Sequence, residues 1–178
     1  MSDIIYGIYI QSVLEKRIYL GINEIGSNIK EVLEKRLYDM TFNKCIAEGF
    51  VKPNTINIIS YSCGIVQNEQ IEFLVIFECM ISNPVEGQLI MCKSKTITKA
   101  GIHAHVIDND IVPIHVFLAK DHHNMNKYFN SIKEDMDILI NVIGVRFELN
   151  DQFISIIGKL VDKEAMKKKQ TKVIKNNE

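Results

Sequence analysis

Five short segments of alternating apolar and polar residues follow one another after Pro84: Gln88–Thr96, Gly101–Ile107, Val112–Leu118, Asp137–Leu149 and Gln152–Val161. Alternation at period two is the mark of a strand with one buried face. The separators are turn-forming: Lys99-Ala100-Gly101, Asp108-Asn109-Asp110 and Asn150-Asp151. One connection is longer, the polar stretch Asp121–Asp135, with room for a helical turn. A sheet of five short strands exposes unpaired edges unless it curls on itself. The expectation for residues 83–162 is therefore a partly open or closed five-stranded Greek-key barrel, the OB-fold plan. Gly87, Gly101, Gly144 and Gly158 fall where its strands begin or bend.

The first 82 residues follow a different plan. Ile4–Glu15 reads as a strand with Ile4, Tyr6, Ile8 and Ile10 on one face, continued in extended form through Arg17–Leu20. After a turn at Gly21–Gly26, Asn28 stands three residues before Glu31 as a cap, and Ile29, Val32, Leu33, Leu37 and Met40 recur at helical spacing. Strands are expected over Cys45–Val51, Thr55–Ser62 and Ile71–Ile81, with Gln67–Gln70 as a hairpin loop. This is an α+β domain, one helix on an antiparallel sheet. The break at Ser82–Gly87 marks the expected boundary, and residues 163–178 form a basic tail.

Composition narrows the classes further. Of 178 residues, 47% are hydrophobic and 24% charged, and the apolar runs are too short to cross a bilayer. No membrane partner is expected. The start of the chain lacks a secretory signal pattern, which predicts a reducing compartment and free thiols. Cys45, Cys63, Cys79 and Cys92 are 18, 16 and 13 residues apart, a spacing that supports neither a zinc site nor a disulfide framework. The formal net charge is −1, but the tail from Lys163 carries six lysines and two glutamates, or +4, against −5 for the rest. That tail reads first as a solvated terminus and second as an RNA-attracting arm.

For chemistry, the first three barrel strands carry Lys93, Lys95, Lys99, His103, His105, His115 and Lys120. Basic groups that follow a phosphate backbone, with rings on which bases stack, are what single-strand binding by this fold needs. The competing reading is an ordinary solvated strand face, and composition leaves the two even. His103 and His105 point to one side, as metal ligands would, but no acidic or thiol partner stands at matching spacing. There is no phosphate loop, dinucleotide fingerprint or nucleophile elbow. Cys63 and Cys92 have no base assigned to them, and no cofactor is called for.

Asn83-Pro84-Val85-Glu86-Gly87-Gln88-Leu89-Ile90, Thr96-Ile97-Thr98-Lys99-Ala100-Gly101-Ile102, Val116-Phe117-Leu118 and Ile157-Gly158-Lys159-Leu160 together resemble an S1 RNA-binding domain. More narrowly, they resemble the S1 half of the stalk subunit of multisubunit DNA-directed RNA polymerases, a family that takes in the archaeal stalk protein and the seventh-largest subunit of eukaryotic polymerase II. The sheet-and-helix plan of the first half is similar to that protein's tip domain. The resemblance implies a non-catalytic subunit that docks on the large polymerase core subunits, pairs with a smaller helical stalk partner and contacts nascent single-stranded RNA. RNA contacts are expected at Lys93, Lys95, Lys99, His103, His115 and Lys120. Ala100 and His103 stand where the family often places aromatic rings, and the lysine-rich tail replaces its apolar C-terminal segment. The location implied is intracellular, within a polymerase complex: nuclear in a eukaryote, or a virion or cytoplasmic factory for a large DNA virus, which the Ile-, Asn- and Lys-rich composition suits. The alternative is a free-standing S1 protein of translation or RNA turnover.

Overall fold

The computed structural model describes residues 7–123 and 126–161, so the basic tail and the strand residues Ile4 and Tyr6 lie outside the described residues. The chain divides into two compact units. Among the described residues, one holds Tyr9–Asn83 together with Glu148–Gln152; the other holds residues 7–8, Pro84–Phe147 and 153–161. No helix among the described residues is long and apolar enough to cross a membrane.

The first unit is a six-stranded antiparallel sheet covered by one helix. Its spine is β6 (Gln70–Ser82), which pairs along its whole length with β1 (Ile10–Gly21), from Ile10 opposite Ile81 to Gly21 opposite Gln70. Phe73, Val75, Phe77, Cys79 and Ile81 of β6 alternate into the core, as their spacing requires. On β1 the buried residues are Ile18 and Leu20, while Ile10, expected on the apolar face, is 64% exposed. The helix α1 (Ile29–Thr41) lays Leu33 and Leu37 on this surface, with Ile29 and Val32 packed at its margin.

Four local features depart from expectation. Met40 is partly exposed and Thr41 completes the helix stripe, because positions 33, 37 and 41 repeat every four residues. Asn28 occupies the N-cap but its side chain makes no capping bond; it donates to the Glu31 carboxylate at 3.2 Å. The segment 45–51 is two strands, β2 (Cys45–Ile46) and β3 (Gly49–Val51), which pair with each other. β4 (Asn57–Tyr61) and an additional strand, β5 (Ile65–Gln67), both pair with β6. Three residues beside a polar turn carry too little periodicity to be read as a strand; the edge of β6 supplies the pairing.

The second unit is a closed barrel. Its strands are β7 (Leu89–Ile97), β8 (Gly101–Asp108), β9 (Ile111–Ala119), β10 (Asp137–Arg146) and β11 (Ile154–Leu160). The order around the barrel is β10-β11-β9-β8-β7, and β7 returns to pair with β10. All pairs are antiparallel except β9 with β11, whose parallel register runs from Ile154 opposite Ile114 to Ile157 opposite Phe117. The barrel is OB-like in strand number and closure. Its core takes alternate residues from every strand, including Ile102, Ala104 and Val106 of β8, and Ile154, Ile156 and Leu160 of β11. At Gly101 a Cβ would run into the carbonyl oxygen of Leu118, so glycine permits the close approach of β8 and β9. Gly144 sits at the register shift between β10 and β11, where one strand bulges and bends the sheet. The long connection contains two short 3-10 turns, Lys120–His123 and Phe129–Ser131.

Candidate functional site

The outer surface of β7, β8, β9 and β11 is built by the same alternation that fills the core. With Cys92, Ser94, Ala104, Val106, Ile114, Val116 and Ile154 turned inward, Lys93, His103, His105, His115, Phe117 and Ser155 turn outward. The register then aligns them. Asp137 lies opposite Lys93, Lys93 opposite His105, His105 opposite His115 and His115 opposite Ser155. One register step away, His103 faces Phe117 and Phe117 faces Ile157.

Side chains opposite one another on adjacent strands have Cβ atoms about 5 Å apart, close enough for flat rings to stack. Here they do. His105 and His115 have ring centroids 4.3 Å apart at 23°. Phe153, just before β11, covers the other face of His115 at 3.8 Å and 6°. His103 and Phe117 form a separate tilted pair at 4.8 Å. The outer face therefore carries five rings, and Phe117, Phe153 and His105 join the two histidines expected to act there. The signal for these was period two on two strands, His103/His105 and His115/Phe117; which ring meets which depends on register and could not be read locally.

The lysines divide into two groups. Lys93 stands beside the ring row, and Lys95, in the bulge between Ser94 and Thr96, reaches Asp135 at 4.0 Å. Lys99 and Lys120 are brought together at one end, since the amide of Lys120 donates to the carbonyl of Ala100 at 2.9 Å. All four are exposed. His103 is exposed and His115 half-buried. Burial, the nearby charge of Lys95 and the neighbouring His103 lower the pKa of His105 below its ordinary 6.5. Burial first, then His105 and His103, does the same for His115. Both rings are thus held neutral near pH 7, the state in which stacked imidazoles do not repel each other.

His122 and His123 separate sharply. His122 is exposed, whereas His123 is 4% exposed and stacks on Phe129 at 4.5 Å and 10°. Its Nδ1 lies 2.7 Å from the carbonyl of Ala119, and its Nε2 lies 2.9 Å from the amide nitrogen of Leu160. Since a carbonyl only accepts and an amide only donates, Nδ1 carries the proton and Nε2 accepts. His123 is a barrel strut, joining the end of β9 to the end of β11.

The cysteines do not form a reactive centre among the described residues. Burial pushes Cys45 and Cys79 up to about 11 and Cys92 up to about 12, so these three are protonated thiols at neutral pH. Cys92 donates to the carbonyl of Ile138. Cys63 is exposed. Among the described residues no cluster of three histidine, cysteine or acidic side chains is placed to hold a metal ion.

Fold and face together define a class: an OB-like barrel protein with a ring-bearing, lysine-flanked outer surface, joined to a sheet-and-helix unit. No family model matches the chain. It is 26% identical over 167 residues to a protein of Acanthamoeba polyphaga mimivirus that is provisionally named as a DNA-directed RNA polymerase subunit, an alignment covering 87% of this chain and 83% of that protein. The chain is thus similar, through most of its length, to a protein provisionally named as a viral RNA polymerase subunit.

Proposed function

We propose that this protein is a non-catalytic stalk subunit of a DNA-directed multisubunit RNA polymerase, with an S1-type barrel that touches RNA as it emerges. The observation that carries the reading is the similarity to the mimivirus polymerase subunit, which runs through 87% of the chain and so takes in residues of both units. The order of those units, sheet and helix first and OB-like barrel second, supports the narrower stalk assignment. In this reading residues 1–82 dock on the large core subunits, a smaller helical partner completes the stalk, and residues 83–162 face the transcript.

RNA contact rests on the outer barrel face. Lys93, Lys95, Lys99 and Lys120 offer charge to phosphates, while His103, Phe117 and Phe153 offer flat surfaces to bases and His115, stacked between His105 and Phe153, braces the row. Stacking on such rings contributes roughly 1–3 kcal/mol per base and tolerates any sequence. Phosphate contacts add affinity that falls with salt, with a slope of about −0.7 per phosphate on single strands. The protein works within the polymerase complex, inside the cell.

The test is affinity purification of the tagged protein from its natural source, followed by mass spectrometry. Recovery of the large polymerase subunits in stoichiometric amount is expected. Recovery of RNA without any polymerase subunit would refute the stalk assignment and leave a free-standing RNA-binding protein.

A further inference from the structure

The three-ring row on the barrel has two ends and a closed middle. Both faces of His115 are occupied, by His105 on one side and Phe153 on the other. No base can stack on His115 without breaking the row. The free face of His105 looks along the register line toward β7, where Lys93 stands, with Asp137 of β10 one strand further. A recess of about 130 Å³ opens there, walled by Met91, Lys93, His105, Ile107 and Asp137 over a floor of Cys92 and Val106. That is far below the ~300 Å³ of the smallest drug-sized pockets and suits one small ring system. From Asp137 to His105 is two strand spacings, about 10 Å. Neither the Lys93 ammonium nor the Asp137 carboxylate makes a side-chain hydrogen bond or ion pair among the described residues.

Resting on the RNA-contacting reading above, we propose that this recess selects a guanine of single-stranded RNA: the base fills the space between His105 and Asp137 with its far edge against the His105 ring, Asp137 accepts from N1–H and N2–H, and Lys93 donates to O6. The selection follows from the edge each base presents. Guanine offers an acceptor followed by two donors, and a lysine beside a carboxylate offers a donor followed by two acceptors. Uracil offers acceptor, donor, acceptor, so its second carbonyl meets a carboxylate oxygen. Adenine and cytosine each place an amino group where guanine has O6, facing the ammonium, and a ring nitrogen acceptor where guanine has N1–H, facing the carboxylate. Bases freed from a duplex are read on these edges. The recess lies at the far end of the row from Phe153, so the bases on either side of the guanine remain free to lie on the His103–Phe117 pair or in solvent.

Fluorescence anisotropy of the full-length protein with labelled twelve-nucleotide oligouridylates, unsubstituted or carrying one central guanine, adenine or cytosine, tests this directly. The guanine oligomer should bind roughly tenfold tighter than the others, the effect of one well-formed bidentate contact. Asp137→Asn replaces two acceptors by an acceptor and a donor, so that with Lys93 the recess offers donor, acceptor, donor, the complement of uracil's edge; the guanine advantage should vanish, leaving the guanine oligomer no tighter than the unsubstituted oligouridylate. Asp137 is exposed, so folding of the variant can be verified by an unchanged melting curve. Equal affinity for all four oligomers overturns the subsite while leaving the RNA-contacting face standing. Absence of binding to every oligomer overturns both the subsite and the RNA contact, and leaves the polymerase assignment to the purification described above.

Discussion

His123→Phe separates what the buried histidine does by packing from what it does by hydrogen bonding. The substitution keeps a flat ring against Phe129, so the stack at 4.5 Å survives. It removes the Nδ1 proton that the Ala119 carbonyl accepts at 2.7 Å and the Nε2 lone pair that receives the Leu160 amide at 2.9 Å. Each backbone group left buried and unpaired costs about 1–3 kcal/mol, so the pair should cost about 2–6 kcal/mol. That is a large share of a typical domain stability of about 5–15 kcal/mol. His123→Ala should cost more, since the ring stack adds about 0.5–1.5 kcal/mol and a cavity opens as well. Urea unfolding of the full chain, followed by far-UV circular dichroism, measures both. Amide exchange at Leu160 gives the local readout, because only loss of the Nε2 acceptor frees that N–H. If His123→Phe unfolds within about 0.5 kcal/mol of the parent, the level of an ordinary surface substitution, or leaves Leu160 as protected as before, the strut assignment is wrong.

Three further outcomes follow from burial and charge. His105 and His115 have folded pKa values below the ordinary 6.5, so between those values and 6.5 the unfolded chain binds more protons than the folded one. Stability should therefore be full above about pH 6.5, fall as pH drops through that value and stop falling below the folded values; a double His105→Gln/His115→Gln variant should flatten this part of a urea-midpoint profile against pH. Under native conditions a thiol reagent should modify Cys63 quickly and Cys45, Cys79 and Cys92 only on unfolding, as intact-mass analysis over time would show. Gly101→Val should destabilise the barrel by several kcal/mol in thermal or urea melts, since its Cβ has no room beside the Leu118 carbonyl, whereas Gly144→Ala, with open space around it, should stay within about 1 kcal/mol.

Much of the molecule is legible in one dimension. Period-two alternation along β6, β8 and β11 assigns each strand and its buried face, because a strand places successive side chains on opposite sides whatever its partner is. The same rule placed Lys93, His103 and His115 on an outward surface before any partner was known. Helix α1 was legible for the same reason at a different period, with Thr41 in place of Met40 as the one slip at its end. Turn residues such as Asn150, at φ 71, carry their own local conformational preference.

What alternation cannot convey is which strand meets which, and at what offset. The parallel contact of β9 with β11 joins segments separated by the whole of β10, and only that contact sets Phe153 against His115 and closes the barrel. The register of β10 on β7 likewise puts Asp137 beside Lys93, forty-odd residues away in the chain. His123 shows the limit most clearly. In sequence it is one of two adjacent histidines in a polar stretch, and only the approach of Leu160 from the last strand makes it a buried strut while His122 stays in solvent. Local periodicity follows from bond geometry and is written into every short window of the chain. Register and closure are decided by the packing of a core to which all five strands contribute at once, and they exist only when the whole barrel does.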